Sequence, residues 1–272
     1  MRGAAVRVCA RWLTAVVVAT LSTACSPGFN GSSSTTQGRP ITVLAASSLQ
    51  TAFTAAGNEY EAAHPGSTVT FGFDASSALR TKLEEGAAAD LFASADVANA
   101  QRLVEEGFAI GPPRPFSGNG LAIVVPFDNP AHIETPADLA RPGVRLVAAG
   151  DGVPITSYAT QLIEALARQP GYPPGYAAQV AANVASREDN VAAVAAKVAL
   201  GEGDAGIVYG TDAQASSRLK RIPIPAGVKV SVTYAAVVVK SSTQPDAARA
   251  FLRFLASSPG QATLARYGFV AP

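Results

Sequence analysis

Hydroxyl side chains and unpaired backbone amides recur where a predicted strand gives way to a predicted helix. They belong to Ser48, Ser76, Ile155, Val191 and Tyr209. The first N–H groups of a helix have no partner within it, and the aligned peptide dipoles place about half a positive charge there. Several such helix starts facing one cleft would bind an anion without lysine or arginine. The sequence therefore indicates an anion site made of uncharged donors.

Each of these residues also has a purely structural interpretation. Serines at such places can cap helices, each worth about 1 kcal/mol. Pro154 can simply start a helix, and Tyr209 can be an ordinary strand aromatic. The recurrence of the pattern along one chain is what favours a shared site.

Other kinds of chemistry have less support in the sequence. The two histidines, His64 and His132, lie in turn-like segments without a cysteine or second histidine at metal-ligand spacing. The chain has no nucleophile-elbow or phosphate-loop motif. We therefore expect no metal site, no cofactor and no enzyme activity. A hydrolase with a serine nucleophile and a surface interaction protein with a vestigial cleft remain as alternatives.

The elements that must position these residues follow an α/β pattern. Short apolar runs alternate with helical patterns of about a dozen residues, which is typical of lobes with largely parallel sheets. The predicted strands are 41–45, 69–73, 90–93, 121–126, 145–148 and 206–209. Ser76 or Ser77 is expected to cap the second helix. A longer uncharged run, 230–239, is long enough to pass from one lobe to another.

Composition predicts a packed core and excludes some partners. The 272 residues are 48% hydrophobic and carry a formal net charge of +1, so a packed core is expected and binding of nucleic acid is not. The cysteines are Cys9 and Cys25. Once a leader containing Cys9 is removed, Cys25 has no partner in its chain and forms no internal disulfide.

The first 24 residues are typical of a signal peptide. Early arginines precede an apolar stretch from Trp12 to about Ala24. This stretch is too short for a membrane-spanning helix, which needs about 20 apolar residues. The following LSTAC sequence resembles the lipobox of bacterial lipoproteins, in which Cys25 would be acylated. Ordinary cleavage after Ala24, leaving a soluble secreted protein, remains an alternative. Residues 25–39 are then the lipidated cysteine and a flexible tether.

The order of motifs from Ile41 onward resembles the periplasmic molybdate-binding proteins of ABC transporters. The matching stretches are ITVLAASSLQTAF at 41–53, FDASSALRTKLEEGAAADLFASAD at 73–96, SREDNVAAVAAKVALGEGDAGIVYGTDA at 186–213 and ARYGFV at 265–270. The resemblance implies the two-lobed, type II periplasmic-binding-protein fold, with mixed, mostly parallel sheets flanked by helices. Lobe 1 would comprise residues 40–120 and 232–272, and lobe 2 residues 121–231, joined by two hinge crossover strands.

The resemblance also implies which groups contact the oxyanion. These are the hydroxyls of Ser48, Ser76 and Tyr209 and the backbone N–H groups of Ile155 and Val191. The set contains donors and no carboxylate, which suits a fully deprotonated dianion. Hydrogen phosphate would bring an unpaired proton into the site, at a cost of about 1–3 kcal/mol. Thr156 and Ser157, where the family often has glycine, could add hydroxyls.

The function that the resemblance implies is capture of molybdate, with tungstate as a second ligand, and delivery to the membrane permease of an ABC importer. The same fold binding another tetrahedral oxyanion, such as sulfate, remains an alternative. We expect an exported monomer, held at the outer face of the cell membrane through the lipid on Cys25.

Overall fold

The computed structural model describes residues 40–272, and these form two five-stranded sheets with helices packed on them. The strands are β1 (Ile41–Ala46), β2 (Val69–Asp74), β3 (Leu91–Ser94), β4 (Ala109–Asn119), β5 (Leu121–Pro126), β6 (Leu146–Ala149), β7 (Val184–Glu188), β8 (Ala205–Tyr209), β9 (Leu219–Ile222) and β10 (Val232–Val239). The helices are α1 (Gln50–Ala63), α2 (Ser76–Glu84), α3 (Val97–Glu105), α4 (Pro154–Ala167), α5 (Tyr176–Ala182), α6 (Val191–Ala199), α7 (Gly210–Ala215), α8 (Pro245–Ala256) and α9 (Ser258–Arg266), with 3-10 helices at Ser47–Leu49 and Pro136–Ala140.

The predictions for the signal peptide, for Cys25 and for the tether to residue 39 lie outside the described residues. Between residues 40 and 272, the helices are all too short or too polar to span a lipid bilayer.

The two sheets repeat one pattern. Their strand orders are β2-β1-β3-β10-β4 and β7-β6-β8-β5-β9. The first three strands of each order are parallel, as the alternation of strands and helices predicts, and the other pairings are antiparallel. The antiparallel pairings arise because β10 and β5 each enter their sheet from the other one, and so run against the parallel strands. The chain thus folds as a two-lobed α/β protein, whose lobes are named here after the first and the second sheet.

The chain crosses between the lobes twice. Gly120 alone separates β4 in the first sheet from β5 in the second. The return crossover follows β9 and leads into β10, the long apolar run of the sequence. Both crossovers therefore place strand ends beside the cleft between the lobes.

Strand β4 was not predicted from the sequence. It contains Pro112, Pro113 and Pro115, which cannot donate to a sheet ladder and are tolerated mainly on edge strands. β4 is an edge strand, and its pairing with β10 is interrupted by register shifts. The polar edge strands β7 and β9 of the second sheet were missed for a related reason, because they lack an apolar run.

An aromatic cluster fixes α1 against the first sheet. One face of this helix is buried, with Phe53 and Ala56 fully inaccessible and Tyr60 nearly so. The Phe53 ring lies 6.2 Å from that of Phe251 on α8, edge to face, and 6.0 Å from that of Phe71 on β2. This packing holds the start of α1 at the carboxyl end of β1, where the site lies.

Candidate anion-binding site

Loops that follow the parallel strands of both sheets line one small cavity. Its volume, measured as the space open to the centre of a water molecule, is about 10 Å³, which is room for about one water. The lining residues are Ala46, Ser47, Ser48, Asp74, Ala75, Ser76, Ala95, Val153, Pro154, Ile155, Val191 and Tyr209. The structure thus brings all five predicted contact residues together. None of the lining residues is a lysine or an arginine.

Helix starts supply backbone donors to this cavity from the second lobe. Pro154 is the first residue of α4, as predicted, so the N–H of Ile155 lies in the first turn. Asn190 caps α6, and its side chain accepts a hydrogen bond from the Ala193 N–H at 3.0 Å. The N–H of Val191 precedes that bonded amide and has no partner within the helix. Both amides are therefore free to bind a ligand.

Ser76 does not cap its helix, contrary to the prediction for Ser76 or Ser77. The capping position is Ala75, whose side chain has no hydrogen-bonding group, and Ser76 is the first helical residue. The Ser76 hydroxyl oxygen instead accepts a hydrogen bond from the Ala95 N–H at 3.0 Å. Because this bond uses an acceptor site of the hydroxyl, the Ser76 proton stays available to the cavity.

Ser48 lies in the 3-10 helix that joins β1 to α1. Its side chain is buried, and its hydroxyl oxygen lies 2.9 Å from the hydroxyl oxygen of Tyr234 on β10. No side chain caps this short helix. The structural interpretation of Ser48 as an N-cap is therefore wrong, and its hydroxyl bonds Tyr234 instead.

Tyr209 ends β8 with a buried hydroxyl. Among residues 40–272, this hydroxyl is the buried side-chain polar atom that has no hydrogen-bond partner. Burial, reinforced by the neighbouring Tyr234, raises the pKa of Tyr209 well above its ordinary value, so the phenol keeps its proton. An unsatisfied buried donor costs about 1–3 kcal/mol. A ligand oxygen in the cavity would remove that cost.

A carboxylate also lines the cavity, contrary to the expectation of a set without one. Asp74 Oδ1 accepts hydrogen bonds from the Ala75 N–H at 2.8 Å and from the Asn190 side chain at 3.5 Å, and Oδ2 accepts one from Lys82 at 2.9 Å. Burial acts to raise the pKa of Asp74, but these hydrogen bonds outweigh it and hold the pKa below its ordinary value. Asp74 thus stays ionised, with its charge partly neutralised by Lys82.

The remaining candidates in the sequence point elsewhere. The Thr156 hydroxyl donates to the carbonyl of Gly150 at 2.9 Å and so does not add a donor to the cavity. His64 stacks on Tyr60 and bonds the Tyr60 carbonyl through Nδ1 at 2.8 Å. Within the described part of the chain, no group of three or more histidine, cysteine, aspartate or glutamate residues could hold a metal ion.

Sequence reasoning missed the residues that support Ser48 from behind. Asn119 ends β4 and Tyr234 lies on β10, and both side chains are buried. Asn119 falls in a proline-rich segment without a strand pattern, and Tyr234 lies within an apolar run that reads as core. Only the buried polar character of their side chains could have marked them.

Comparison with known proteins agrees with the two-lobed α/β fold. Residues 41–270 match the family described as bacterial extracellular solute-binding protein. The chain is 37% identical over 248 residues to the molybdate-binding protein ModA of Mycobacterium tuberculosis, covering 91% of this chain and 90% of that relative. The periplasmic molybdate-binding protein of Azotobacter vinelandii has a similar fold, with a TM-score of 0.72 at 21% identity, over 85% of this chain and 99% of that one. The sulfate-binding protein SubI of M. tuberculosis is also similar in fold, with a TM-score of 0.76 at 22% identity, over 85% of this chain and 86% of that one. The chain therefore belongs to the bacterial extracellular solute-binding proteins and is of the ModA type.

Proposed function

We propose that this protein captures molybdate, and tungstate with it, and delivers the ion to the permease of an ABC importer. The bound ion would be held by the hydroxyls of Ser48, Ser76 and Tyr209 and by the amides of Ile155 and Val191. Molybdate and tungstate are dianions without protons near neutral pH. They need only donors, and these five groups are donors.

The observation that carries the proposal is the Tyr209 hydroxyl. It is buried in a residue that lines the cavity, it keeps its proton, and the described residues offer it no acceptor. A tetrahedral anion supplies the missing acceptor. The 37% identity to a protein named molybdate-binding supports molybdate as that anion.

Calorimetric titration of the purified protein tests this function. Molybdate and tungstate should bind tightly and with similar affinity, because the two ions are nearly the same size. Hydrogen phosphate should bind much more weakly, since its proton would face the donors. Asp74 is the one carboxylate of the lining, and its oxygens already accept three hydrogen bonds. Failure of the wild-type protein to bind molybdate tightly would end the proposal.

Sulfate is the second candidate ligand. A sulfate-binding protein shares the fold, and sulfate requires the same donors as molybdate. The difference between the two ions is size, because the bonds from sulfur to oxygen are shorter than those from molybdenum. A closed cavity fitted to the larger ion leaves its donors too far from sulfate oxygens. Tighter binding of sulfate than of molybdate in the same titration would favour the alternative.

We also propose where the protein acts in the cell and how its lobes move. The chain would be exported and cleaved before Cys25, and a lipid on Cys25 would hold it at the outer face of the membrane as a monomer. Lobe 1 would comprise residues 40–120 and 232–272, and lobe 2 residues 121–231, closing about the two crossover strands. Detergent partitioning tests the anchor: the wild type should enter the detergent phase, and Cys25→Ala should stay in water. Equal partitioning of both into water would exclude the lipid.

A further inference from the structure

Hydrogen bonds join three buried side chains, those of Asn119, Tyr234 and Ser48, into a series that we call the relay. The Asn119 Nδ2 group donates to the Tyr234 hydroxyl at 3.3 Å, and that hydroxyl lies 2.9 Å from Ser48 Oγ. Asn119 lies at the end of β4, before one crossover between the lobes, and Tyr234 lies on β10, after the other. The relay therefore connects the two strands that flank the crossovers. Asn119 Nδ2 also donates to Thr211 Oγ1 on α7 of the second lobe, at 2.9 Å.

The orientation of the Asn119 amide fixes which group donates and which accepts in the relay. The main-chain N–H of Gly120 donates to Asn119 Oδ1 at 2.9 Å. Because a backbone N–H can only donate, it fixes which end of the amide is oxygen. The Nδ2 group must therefore face Tyr234, and Tyr234 must accept from it.

The direction continues from Tyr234 to Ser48. Burial keeps the Tyr234 phenol protonated by raising its pKa well above the ordinary value. Its oxygen already accepts from Asn119, and its single proton needs an acceptor. Among the described residues, the acceptor that its hydrogen bonds provide is Ser48 Oγ. Ser48 Oγ then accepts a hydrogen bond from Tyr234 and keeps its own proton for another partner. That partner lies on the cavity side, since Ser48 lines the cavity.

We propose that Asn119 and Tyr234 are positioning residues for the anion, which order the Ser48 hydroxyl so that its proton points into the cavity. The inference rests on the proposed function, because it gives Ser48 the role of donor to the bound oxyanion. Without the relay, Ser48 could equally turn its proton toward the first lobe and present a lone pair to the anion. The relay excludes that second orientation before the ligand arrives.

A double-mutant cycle on the full chain tests the relay. Molybdate affinity is measured by calorimetry for wild type, Tyr234→Phe, Ser48→Ala and the double variant. Tyr234→Phe keeps the ring that packs on Phe116 and Phe269. It should weaken binding about tenfold, as expected for a disordered donor to a charged group. In the Ser48→Ala background the same substitution should have no further effect, because its target is gone.

Tyr176→Phe is the matched control. Its hydroxyl is also buried and donates to the Pro136 carbonyl at 2.6 Å, but it lies in the core of the second lobe and does not line the cavity. This variant should lower the melting temperature and leave molybdate affinity unchanged. A merely structural role of Tyr234 would give the same result as this control.

Asn119→Asp tests the direction of the relay and serves if Tyr234→Phe folds poorly. An aspartate would accept from Tyr234, which would then accept from Ser48 and take its proton away from the anion. Affinity should fall by more than tenfold with Ser48 present, and by much less with Ser48→Ala, where only the added charge acts. Equal losses in both backgrounds, or unchanged affinity in Tyr234→Phe, would overturn the relay.

Sulfate is titrated in parallel so that the two proposals can fail separately. If the wild type prefers sulfate, molybdate capture is wrong, while the same cycle measured with sulfate still decides on the relay. If the wild type binds neither ion, both proposals are wrong.

Discussion

The two lobes present different kinds of donor to the same cavity. The first lobe contributes the side-chain hydroxyls of Ser48 and Ser76. The second lobe contributes the backbone amides of Ile155 and Val191 together with the phenol of Tyr209. An amide N–H is fixed in direction by the helix that contains it, whereas a hydroxyl proton rotates about its C–O bond.

Because of this difference, the hydroxyls depend on neighbouring residues to orient them, whereas the amides do not. Each first-lobe hydroxyl has a neighbour that restricts it: the Ala95 N–H bonds Ser76, and Tyr234 bonds Ser48. The second-lobe amides need only an intact helix start, provided by Pro154 and by the Asn190 cap. Substitution of a first-lobe side chain should therefore weaken anion binding directly. The second lobe's amides should be lost only when a substitution removes the N–H itself.

The largest effect is expected when both first-lobe hydroxyls are removed. Ser48→Ala with Ser76→Ala deletes two hydrogen bonds to a charged ligand, each worth about 1.5–3 kcal/mol. Molybdate affinity measured by calorimetry should fall at least about a hundredfold. Ser77→Ala, on the same helix but not lining the cavity, is the control. An unchanged thermal shift with molybdate in the double variant would show that the hydroxyls do not contact the ion.

Removing a second-lobe amide should have a smaller effect, of about tenfold, and it needs a proline. Val191 is the first residue of α6, a position that proline favours, and Asn190 has the extended backbone that a following proline requires. Val191→Pro deletes the N–H without breaking a helical hydrogen bond, so affinity should fall about tenfold.

Val191→Ala is the control for that variant. It removes more of the buried side chain than proline does but keeps the N–H, so it should lower the melting temperature while affinity stays within about threefold. If alanine reduces affinity as much as proline, the side chain and not the amide is what matters at this position.

Tyr209→Phe should change affinity and stability in opposite directions. It removes a donor to the anion, so affinity should fall about tenfold. The same substitution also removes a buried hydroxyl that lacks a partner in the described residues, so the ligand-free protein should melt at a higher temperature. Calorimetry and thermal denaturation of one preparation measure both. A lower melting temperature would indicate that the hydroxyl is satisfied without ligand.

The sequence predicted the lobes' parallel strands, and the strand-to-helix junctions that line the cavity, better than it predicted the residues that pack against those junctions. Ser48, Tyr209 and the helix starts follow strands with clear apolar runs, and local pattern is enough to locate such junctions. Asn119 and Tyr234 are far from Ser48 in the chain and meet it only because β10 and β4 lie beside β3 in the sheet that also contains β1. Such contacts depend on the order of strands in the sheet, which a single sequence does not contain.

The same limit explains why Asp74 and β4 were not identified from the sequence. Asp74 directly precedes a helix start, where an acidic residue reads as an ordinary cap. Its contact with Asn190 joins two lobes and depends on their closure. β4 carries three prolines, and only its position at the edge of the sheet makes them tolerable.

Asp74→Asn should strengthen binding modestly, by about threefold. The substitution removes a negative charge beside the anion, and the charge of Lys82 is then no longer neutralised. An asparagine oxygen can still accept from the Ala75 N–H. At an effective dielectric constant of about 20 the relief is of the order of 1 kcal/mol, and it should shrink as salt is raised. Titration at low and high ionic strength measures it; weaker binding in the variant would mean that the contact with Asn190 outweighs the charge.

The smallest expected effect is a pH dependence of stability, which has opposite signs for a carboxyl group in each lobe. Asp212, on α7 of the second lobe, accepts the Tyr209 N–H at 3.2 Å, and burial raises its pKa from 3.8 to about 7. Between these two pH values the folded protein holds a proton that the unfolded chain releases, so the free energy of unfolding falls as pH rises and levels off above pH 7. Asp74 of the first lobe, whose pKa is lowered, acts in the opposite sense and only at more acidic pH. Melting temperatures of the ligand-free protein from pH 5 to 8 should therefore decline by a few degrees, and Asp212→Asn, which keeps an acceptor for the Tyr209 amide, should flatten the decline. An equal slope in both proteins would mean that Asp212 is already ionised at pH 5 and that the second lobe tolerates its charge.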